Sequence, residues 1–410
     1  MTYQERYHRL KSFYDPSLEA ISLPWEDMEI HNCPFHSQHW TSLPGASTYT
    51  CTDHDIHFNE SLPSYGNSQS PDYPDTLSHS DVDILENKSF TYVLFKKSVP
   101  SRSKGVILLF HGLNERSWSK YLPWADELVK NTGKAVILFP IAFHMNRAPS
   151  EWGKARLMVD VSEKRRKYSP AIMNSSFANA AISARIEQIP QRFFWSGLQT
   201  FDDIVSLISE VKNGSHPFIA RDATIDLFGY SVGSFLSEIL LMANPSNYFG
   251  ASRLFLFCGG PTLDRMFPDS KFILDSDATI AMYSYYTERL ETELRLDRRI
   301  SHYFSEAHPS GRVFRTMLSY QKNKEAREQF FREANGRLRA IALKKDDVVP
   351  PAEVLNTLMG EYRNICNPVE VLDFPYPYTH VNPFPTGEGY DEVVDDWFSE
   401  VFSKAADHLR

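Results

Sequence analysis

The sequence contains little cysteine and little glycine, and these shortages exclude some classes of protein. Four cysteines occur in 410 residues, at positions 33, 51, 258 and 366. Cysteines that are so few and so scattered do not form the framework of a small disulfide-rich domain, and a reducing compartment is the simpler expectation. Proline outnumbers glycine, 25 to 18, which indicates many constrained loops around a regular core.

Long apolar runs and an excess of positive charge are also missing. No segment has the roughly 20 apolar residues that a membrane-spanning helix needs. The polar start, MTYQERYHRLKSFYDP, does not have the apolar core of a secretory signal. The net charge of −9 gives no general attraction to polyanions. We therefore predict a cytoplasmic protein with no membrane span and no nucleic-acid partner. Its oligomeric state is not predicted.

The composition is otherwise that of a globular protein, with 42% hydrophobic and 23% charged residues. Residues 1–88 are rich in Pro, Ser, Asp, His and Tyr and show little periodicity. This composition and lack of periodicity predict an irregular N-terminal extension that wraps the core or forms part of a lid. Residues 89–410 are predicted to form the main domain, with insertions at about 141–196 and 261–336. Apolar residues at helical spacing predict that the second insertion is a helical cap.

From residue 89 onward, short apolar strands alternate with amphipathic helices. The predicted strands are Phe90–Phe95, Gly105–Phe110, Ala135–Phe139, Ala223–Phe228, Leu254–Cys258, Leu338–Leu343 and Val369–Leu372. The predicted helices are Lys120–Lys130, Phe201–Val211, Ser231–Met242 and Gly389–Ala406. Apolar strands alternating with helices predict an α/β fold with a mainly parallel sheet that is covered on both faces.

The strongest motif is Gly229-Tyr230-Ser231-Val232-Gly233, which lies between a predicted strand and a predicted helix. This placement is typical of a nucleophile elbow, a strained turn that lifts the serine hydroxyl above the carboxyl edge of the sheet. Glycines two positions either side remove side chains that would collide in such a turn. The alternative is a glycine-rich strand–helix turn with an inert serine. We predict that Ser231 is a nucleophile.

A serine hydroxyl needs a base to remove its proton. His380 is the best placed of fourteen histidines, because it follows the predicted strand Val369–Leu372 and precedes the last helix. Histidines 302, 308 and 408 lie in cap-like or terminal segments, and the earlier histidines precede the sheet. A loop histidine packed among tyrosines is the alternative interpretation of His380.

The imidazole in turn needs a carboxylate to hold its tautomer and to stabilise its charged form. Asp346 and Asp347 both follow the predicted strand Leu338–Leu343, at the edge where the other two side chains are expected. They are chemically equal, so the residues alone leave either of them as the acid. The chain order of nucleophile, acid and base is the one that this type of elbow requires.

An oxyanion formed in the reaction needs backbone donors. Val232 follows the nucleophile at a helix start, and Leu113 lies in the turn His111-Gly-Leu-Asn-Glu115 after a buried strand. We predict that their amide groups form an oxyanion hole. His111 is expected to brace this turn. Asn114 is either a substrate contact or a turn cap.

At these residues the chain resembles the α/β-hydrolase superfamily, over about residues 90–260 and 337–410. The resemblance depends on the segments HGLNE, GYSVG, DDVVP and YTH, which occur in the family's order. In that family the acid often stands as D-x-x-V-P, which implies Asp346 rather than Asp347. The resemblance also implies Leu113 as the oxyanion donor and His380 as the base. It does not imply a substrate, because this fold serves many reactions.

These residues together predict a serine hydrolase that cleaves a carboxylic ester or a related acyl bond of a small molecule through an acyl-enzyme on Ser231. No cofactor is needed. The alternatives are an acyltransferase or peptidase with the same residues, and a hydrolase-like binding protein without catalysis. Aromatic residues of the insertions either line an acyl pocket or pack in the core; they are Trp152, Phe193, Phe194, Trp195, Tyr283, Tyr285 and Tyr286.

The extension is also rich in residues that can ligate zinc. They are His31, Cys33, His36, His39, Cys51, Asp53, His54 and His57. Their spacing fits no standard zinc finger, and histidines are common in loops. We therefore expect no metal site.

Overall fold

The computed structural model describes residues 1–46, 48–58, 73, 74, 77, 79–99, 101–387 and 389–410. Nine strands form one sheet in the order β1-β2-β5-β7-β6-β8-β9-β10-β11. These strands are β1 (Ala20–Leu23), β2 (Met28–His36), β5 (Ser89–Lys97), β6 (Ser103–Phe110), β7 (Ala135–Leu138), β8 (Ile219–Tyr230), β9 (Leu254–Phe257), β10 (Leu338–Leu343) and β11 (Val369–Leu372). A separate hairpin pairs β3 (Tyr49–Cys51) with β4 (Ile56–Phe58).

Strands β6 to β11 run parallel to one another, whereas β1, β2 and β5 pair antiparallel. The helices are α1 (Tyr3–Phe13), α2 (Leu122–Thr132), α3 (Ala155–Tyr168), α4 (Ala180–Gln188), α5 (Arg192–Asn213), α6 (Val232–Ala243), α7 (Ser276–Tyr283), α8 (Leu290–Leu296), α9 (Arg298–Tyr303), α10 (Pro309–Thr316), α11 (Lys324–Glu333), α12 (Pro351–Leu358) and α13 (Asp391–Leu409). A π-helical turn, Ser284–Arg289, joins α7 to α8.

Apolar side chains cover both faces of the sheet. Alternate residues of the central strands point to opposite sides, because successive side chains of a strand alternate. One side packs against α1, α2 and α13, and the other packs against α5, α6 and α12. This architecture confirms the predicted fold class, a mainly parallel sheet with helices on both faces. None of the helices in the described part of the chain is both long and apolar enough to cross a bilayer.

The N-terminal extension contains more regular structure than its composition predicts. β2 pairs with β5 over nine residues and so extends the sheet, although it contains Pro34 and two histidines. Helix α1 packs on one face, where Arg6 forms an ion pair with Asp126 at 3.2 Å. The sequence pattern missed β2 because its burial comes from a neighbouring strand and not from its own apolar periodicity.

Both insertions are helical. The first contains α3, α4 and the start of α5, and the second contains α7 to α11. A bidentate ion pair joins them, since Arg165 donates from Nε and Nη2 to the two carboxylate oxygens of Asp275 at 2.7 and 2.8 Å. Both side chains are buried. The two insertions therefore form a connected helical layer; that this layer acts as a cap over the site stays a prediction.

Candidate active site

Ser231 occupies a strained turn between the end of β8 and the start of α6. Its φ is 55° and its ψ is −123°, a backbone conformation that residues other than glycine rarely adopt. A Cβ at Gly229 would lie 2.5 Å from the Cα of Ser234, and one at Gly233 would lie 2.4 Å from the carbonyl oxygen of Phe110. Both glycines are therefore required for the backbone to pass through this turn.

His380 lies beside Ser231 at the carboxyl edge of the sheet. Its Nε2 is 2.8 Å from Oγ of Ser231, and its Nδ1 is 2.7 Å from Oδ2 of Asp346. The ring stacks on Tyr230 with centroids 5.7 Å apart, and the Tyr230 hydroxyl donates to the backbone carbonyl of His380. These contacts hold the imidazole between a hydroxyl and a carboxylate, although the three residues are distant in the chain.

Asp346 is buried and Asp347 is exposed. Oδ1 of Asp346 accepts hydrogen bonds from the backbone amides of Val348 and Val349 at 3.0 and 2.8 Å, while its other oxygen faces His380. Three donors thus fix the orientation of this carboxylate. The adjacent Asp347 is exposed, so its side chain is not held in this way.

The turn after β6 approaches the nucleophile closely. A Cβ at Gly112 would lie 3.5 Å from Cβ of Ser231 and 3.2 Å from the ring of Tyr230. Leu113 and Val232, the two predicted oxyanion donors, line one common pocket next to this approach. Their role as donors to an oxyanion stays a prediction.

His111 braces this turn. The backbone amide of Ile141 donates to its Nε2 at 2.9 Å, so Nδ1 carries the proton and donates to the carbonyl of Gly112 at 2.8 Å. Burial lowers the pKa of His111 well below its ordinary value, which keeps the ring neutral. The ring therefore ties the turn to the first residues of the 141–196 insertion.

Asn114 connects the same turn to both insertions. Its amide nitrogen donates to the carbonyl of Phe272 at 2.8 Å and to that of Ala178 at 2.5 Å. Its φ of 63° is left-handed, a conformation that asparagine tolerates better than most residues. With both amide hydrogens engaged, Asn114 serves to position the loop, which favours the turn-capping interpretation over a substrate contact.

Sequence reasoning missed a polar network that supports the turn. Glu115 accepts hydrogen bonds from Lys120 and, at 2.9 Å, from the Tyr121 hydroxyl, which itself accepts from the amide of Gly112 at 3.0 Å. Lys120 also donates to the carbonyl of Val381, beside His380, at 3.1 Å. This network links the Gly112 turn to the histidine loop. Its charged members, Glu115 and Lys120, are five residues apart in a loop, and such a spacing matches no helix or strand periodicity that would reveal the pair in the sequence.

A narrow apolar pocket opens beside Leu113 and Val232. Its cavity volume is only about 60 Å³, and α5, α6 and α10 form its walls. Phe193, Phe194 and Phe314 contribute aromatic surface. Of the other aromatic candidates, Trp195, Tyr285 and Tyr286 are fully buried in the core. The mainly apolar lining suits a hydrocarbon group, and the small volume suits a short one.

A second cleft lies on the other side of Leu113. It holds about 760 Å³ of unfilled space, and its lining mixes apolar residues such as Trp152 with the polar residues Glu115 and Arg116. Val381, the neighbour of His380, also lines it. The two cavities meet at the predicted oxyanion turn, and they differ in polarity.

The whole chain, residues 1–410, matches one protein family, described as a family of unknown function (DUF6051). The chain belongs to the DUF6051 family. A search of curated proteins finds no match to this family member.

Solved structures with a similar fold are esterases by description. Carboxyl esterase 2 from the mycorrhizal fungus Tuber melanosporum is 11% identical, with a TM-score of 0.40, and the match covers 79% of this chain and 83% of that one. The bacterial heroin esterase is 11% identical, with a TM-score of 0.41 and coverage of 78% and 80%. A variant of esterase rPPE is 10% identical, with a TM-score of 0.44 and coverage of 100% and 91%. Because similarity this low does not extend to substrates, the chemistry must be judged from this chain's own residues.

Proposed function

We propose that this protein is a serine hydrolase that cleaves carboxylic esters through an acyl-enzyme on Ser231. The observation that carries the proposal is the hydrogen-bonded line of Ser231, His380 and Asp346, with separations of 2.8 and 2.7 Å. A binding protein has no need for a strained serine, an imidazole and a buried carboxylate in this order. The arrangement is the one that activates a hydroxyl for attack.

In the first half of the reaction, Nε2 of His380 takes the Ser231 proton as Oγ attacks the ester carbonyl carbon. The carbonyl π electrons move to its oxygen, and the amides of Val232 and Leu113 stabilise the resulting oxyanion. Asp346 stabilises the imidazolium that forms. The tetrahedral intermediate collapses, the C–O bond to the alcohol breaks, and the proton on His380 passes to the departing alkoxide.

In the second half, His380 takes a proton from water as the water oxygen attacks the acyl carbon. A second tetrahedral oxyanion forms and collapses, the bond to Oγ breaks, and the proton returns to Ser231. The acid is released and the enzyme is regenerated. We assign the acyl group to the first pocket, because its lining is mainly apolar, with His144, Ser196 and Ser310 as its polar members. We assign the alcohol to the more polar cleft that Arg116 and Val381 line.

The test is turnover of p-nitrophenyl esters of increasing acyl length, with peptide amides for comparison. We expect ester hydrolysis, with kcat/KM higher for short acyl groups than for long ones because the pocket is small, and Ser231→Ala lowering kcat by about 10⁶-fold. Ser237→Ala is the matched control, since this serine lies in the same helix and donates to the carbonyl of Gly233 at 2.7 Å. Ester turnover that survives Ser231→Ala would refute the assignment.

A fluorophosphonate probe separates catalysis from mere binding. Stoichiometric labelling of Ser231 in the wild type, and none in His380→Ala, is expected if the hydroxyl is activated. An unlabelled wild-type protein that also hydrolyses no ester would favour the non-catalytic alternative. Faster turnover of peptide amides than of esters would favour a peptidase.

A further inference from the structure

Four metal-binding side chains converge outside the candidate active site. Cys51 ends β3 and His54 lies in the turn before β4, while His302 is in α9 and His308 directly precedes α10. Their ligand atoms all lie within 4.8 Å of one another. In the described part of the chain this is the one cluster of three or more such side chains with room for an ion. The N-terminal extension and the second insertion each supply two members.

Three other histidines of the extension that could ligate zinc are engaged elsewhere. Nδ1 of His36 lies 3.1 Å from the Ser89 hydroxyl, and Nε2 of His39 lies 3.0 Å from the Ser206 hydroxyl. His31 faces Glu29 at 3.2 Å. The zinc-ligand candidates that the sequence offered in the extension include two members of the cluster, Cys51 and His54. The other two members, His302 and His308, lie about 250 residues further along the chain.

Two of the separations equal those of ligands around one tetrahedral ion, and a third is shorter. Sγ of Cys51 is 3.4 Å from Nδ1 of His54 and 3.4 Å from Nε2 of His308, and the Nε2 atoms of His308 and His302 are 2.9 Å apart. With Zn–N near 2.0 Å and Zn–S near 2.3 Å, tetrahedral ligands lie roughly 3.3 to 3.6 Å from each other. Small adjustments of the side chains are enough to centre an ion.

The ring orientations fit the same arrangement. The centroids of the three imidazoles are 4.6 to 5.0 Å apart, and their planes meet at 75° to 89°. Steep angles between the ring planes are expected when several imidazoles each direct one nitrogen to the same metal ion. Oδ2 of Asp53 is 3.9 Å from Nδ1 of His308, the nitrogen that faces away from the cluster. This distance is beyond hydrogen-bonding range, so a shift of the exposed Asp53 side chain would be needed for it to accept from Nδ1 and orient the ring.

We propose that Cys51, His54, His302 and His308 form a structural zinc site. One thiolate and three imidazoles suit Zn²⁺, whereas Mg²⁺ and Ca²⁺ prefer oxygen ligands. Four protein ligands close the coordination sphere, so the ion has no open position for a substrate. Cys51 and His308 are buried and His54 is exposed, which provides a route for the ion to enter.

The site explains how the hairpin is held on the insertion. A two-stranded hairpin is marginal by itself, and its apolar contacts here are few, with Tyr49, Cys51 and Phe58 as the buried members of a small cluster. His308 directly precedes α10, which lends Ser310 and Phe314 to the apolar pocket. Zinc therefore fixes the start of a helix that forms one wall of that pocket.

The first experiment measures zinc by elemental analysis of the full-length protein purified from zinc-supplemented medium. We expect one zinc per chain in the wild type and a loss of at least tenfold in the double variant Cys51→Ser/His308→Asn. Cys366→Ser and His57→Asn are the matched controls, because Cys366 is exposed and the His57 side chain is 68% exposed in the same hairpin. Both controls are expected to retain one zinc.

A second experiment uses wild-type protein only, so that a misfolded variant cannot obscure the result. After removal of metal with a chelator, Co²⁺ is added; tetrahedral coordination with a thiolate gives visible d–d bands and a near-ultraviolet sulfur-to-cobalt band. We also expect re-added Zn²⁺ to raise Tm and to protect Cys51 from alkylation.

The wild type purified without stoichiometric zinc, and taking up neither Zn²⁺ nor Co²⁺ at micromolar concentration, would overturn the proposal. The four groups would then be a hydrogen-bonded cluster. Zinc that persists in the double variant would overturn the assignment of ligands. Neither readout involves Ser231, so failure of the proposed esterase activity would leave the test intact.

Discussion

Ser231 has a backbone conformation that glycine tolerates and that other residues rarely adopt. Its φ of 55° with a ψ of −123° costs on the order of 1–3 kcal/mol. The surrounding strand, helix and close-packed glycines hold it there. The strain is the local cost of exposing the hydroxyl at the sheet edge.

Ser231→Gly is therefore expected to abolish ester turnover and to raise the free energy of unfolding by about 1 kcal/mol. Relief of strain is the physical reason, and thermal or urea unfolding is the measurement. Ser231→Ala, which keeps a Cβ in the same conformation, is the comparison and should leave stability nearly unchanged. Equal stability of the Gly and Ala variants would contradict the argument from strain.

The adjacent aspartates provide an internal control for the proposed acid. Asp346→Asn leaves His380 with an uncharged partner and destabilises the imidazolium, so kcat is expected to fall by about 10⁴-fold. Asp347→Asn changes an exposed side chain and should alter kcat by less than about twofold. Steady-state kinetics on one ester decides between them. A larger loss in Asp347→Asn would reverse the assignment.

At the scale of elements, helix α5 combines a structural weakness with a place in the pocket wall. Gly197 lies in the interior of this helix, and a Cβ added there meets no atom within 4 Å. Glycine inside a helix costs roughly 0.5–1 kcal/mol relative to alanine. Gly197 also lines the apolar pocket, so a methyl group placed there projects into the space assigned to the acyl chain.

Gly197→Ala is expected to raise the free energy of unfolding by about 0.5 kcal/mol. It should also lower kcat/KM for long-chain esters more than for acetate, because the pocket becomes narrower. Gly153→Ala is the matched control, since this glycine lines the second cleft and also has no neighbour within 4 Å. An unchanged acyl-length preference in Gly197→Ala would contradict the assignment of the pocket.

Elements of the core and the insertions are tied together at the turn after β6. His111 connects this turn to the first insertion, and Asn114 donates to a carbonyl of each insertion. The position of the predicted oxyanion donor Leu113 thus depends on both insertions. This coupling is the physical reason to expect that changes in the helical layer reach the site.

At the scale of the whole molecule, buried neutral histidines make stability depend on pH. Nδ1 of His216 accepts hydrogen bonds from the amides of Phe218 and Ile219 at 3.2 and 3.1 Å, and Nε2 faces the Tyr92 hydroxyl at 2.9 Å. Burial lowers the pKa of His216 from 6.5 to about 4. Protonation of Nδ1 would break both backbone bonds, which connect the ring to the start of β8, while Nε2 connects it to Tyr92 of β5.

The direction in which pH changes the free energy of unfolding depends on how many protons the folded and the unfolded protein bind. Between pH 4 and 6.5 the unfolded chain protonates this imidazole and the folded protein does not, so the free energy of unfolding falls as the pH falls. His216 contributes up to about 3 kcal/mol to that loss. In His216→Asn, the amide oxygen replaces Nδ1 as acceptor without titrating, so urea unfolding at pH 7 and pH 4.5 should differ less than in the wild type. The exposed His57→Asn is the control and should keep the wild-type difference.

Much of the fold was predictable because its signals are local. Each strand from β5 to β11 contains a short apolar run, and α2, α5, α6 and α13 each have an apolar face, so periodicity located them, whereas α1 and α12 were not predicted. β2 was missed because its apolar character is weak and its partner, β5, supplies the burial. In the site, the glycines around Ser231 gave a local steric signal, whereas the network of Glu115 and Lys120 gave none.

The sequence by itself determined the alternation of strands from β5 onward with helices and the strained turn at Ser231, since apolar spacing and the need for glycine act over a few residues. The residues alone left Asp346 and Asp347 open and the family resemblance implied Asp346; the tertiary structure shows that Asp346 is the one that faces His380. Only the tertiary structure brought Cys51 and His54 to His302 and His308. Contacts between segments hundreds of residues apart arise from packing of the whole chain, and no local pattern encodes them.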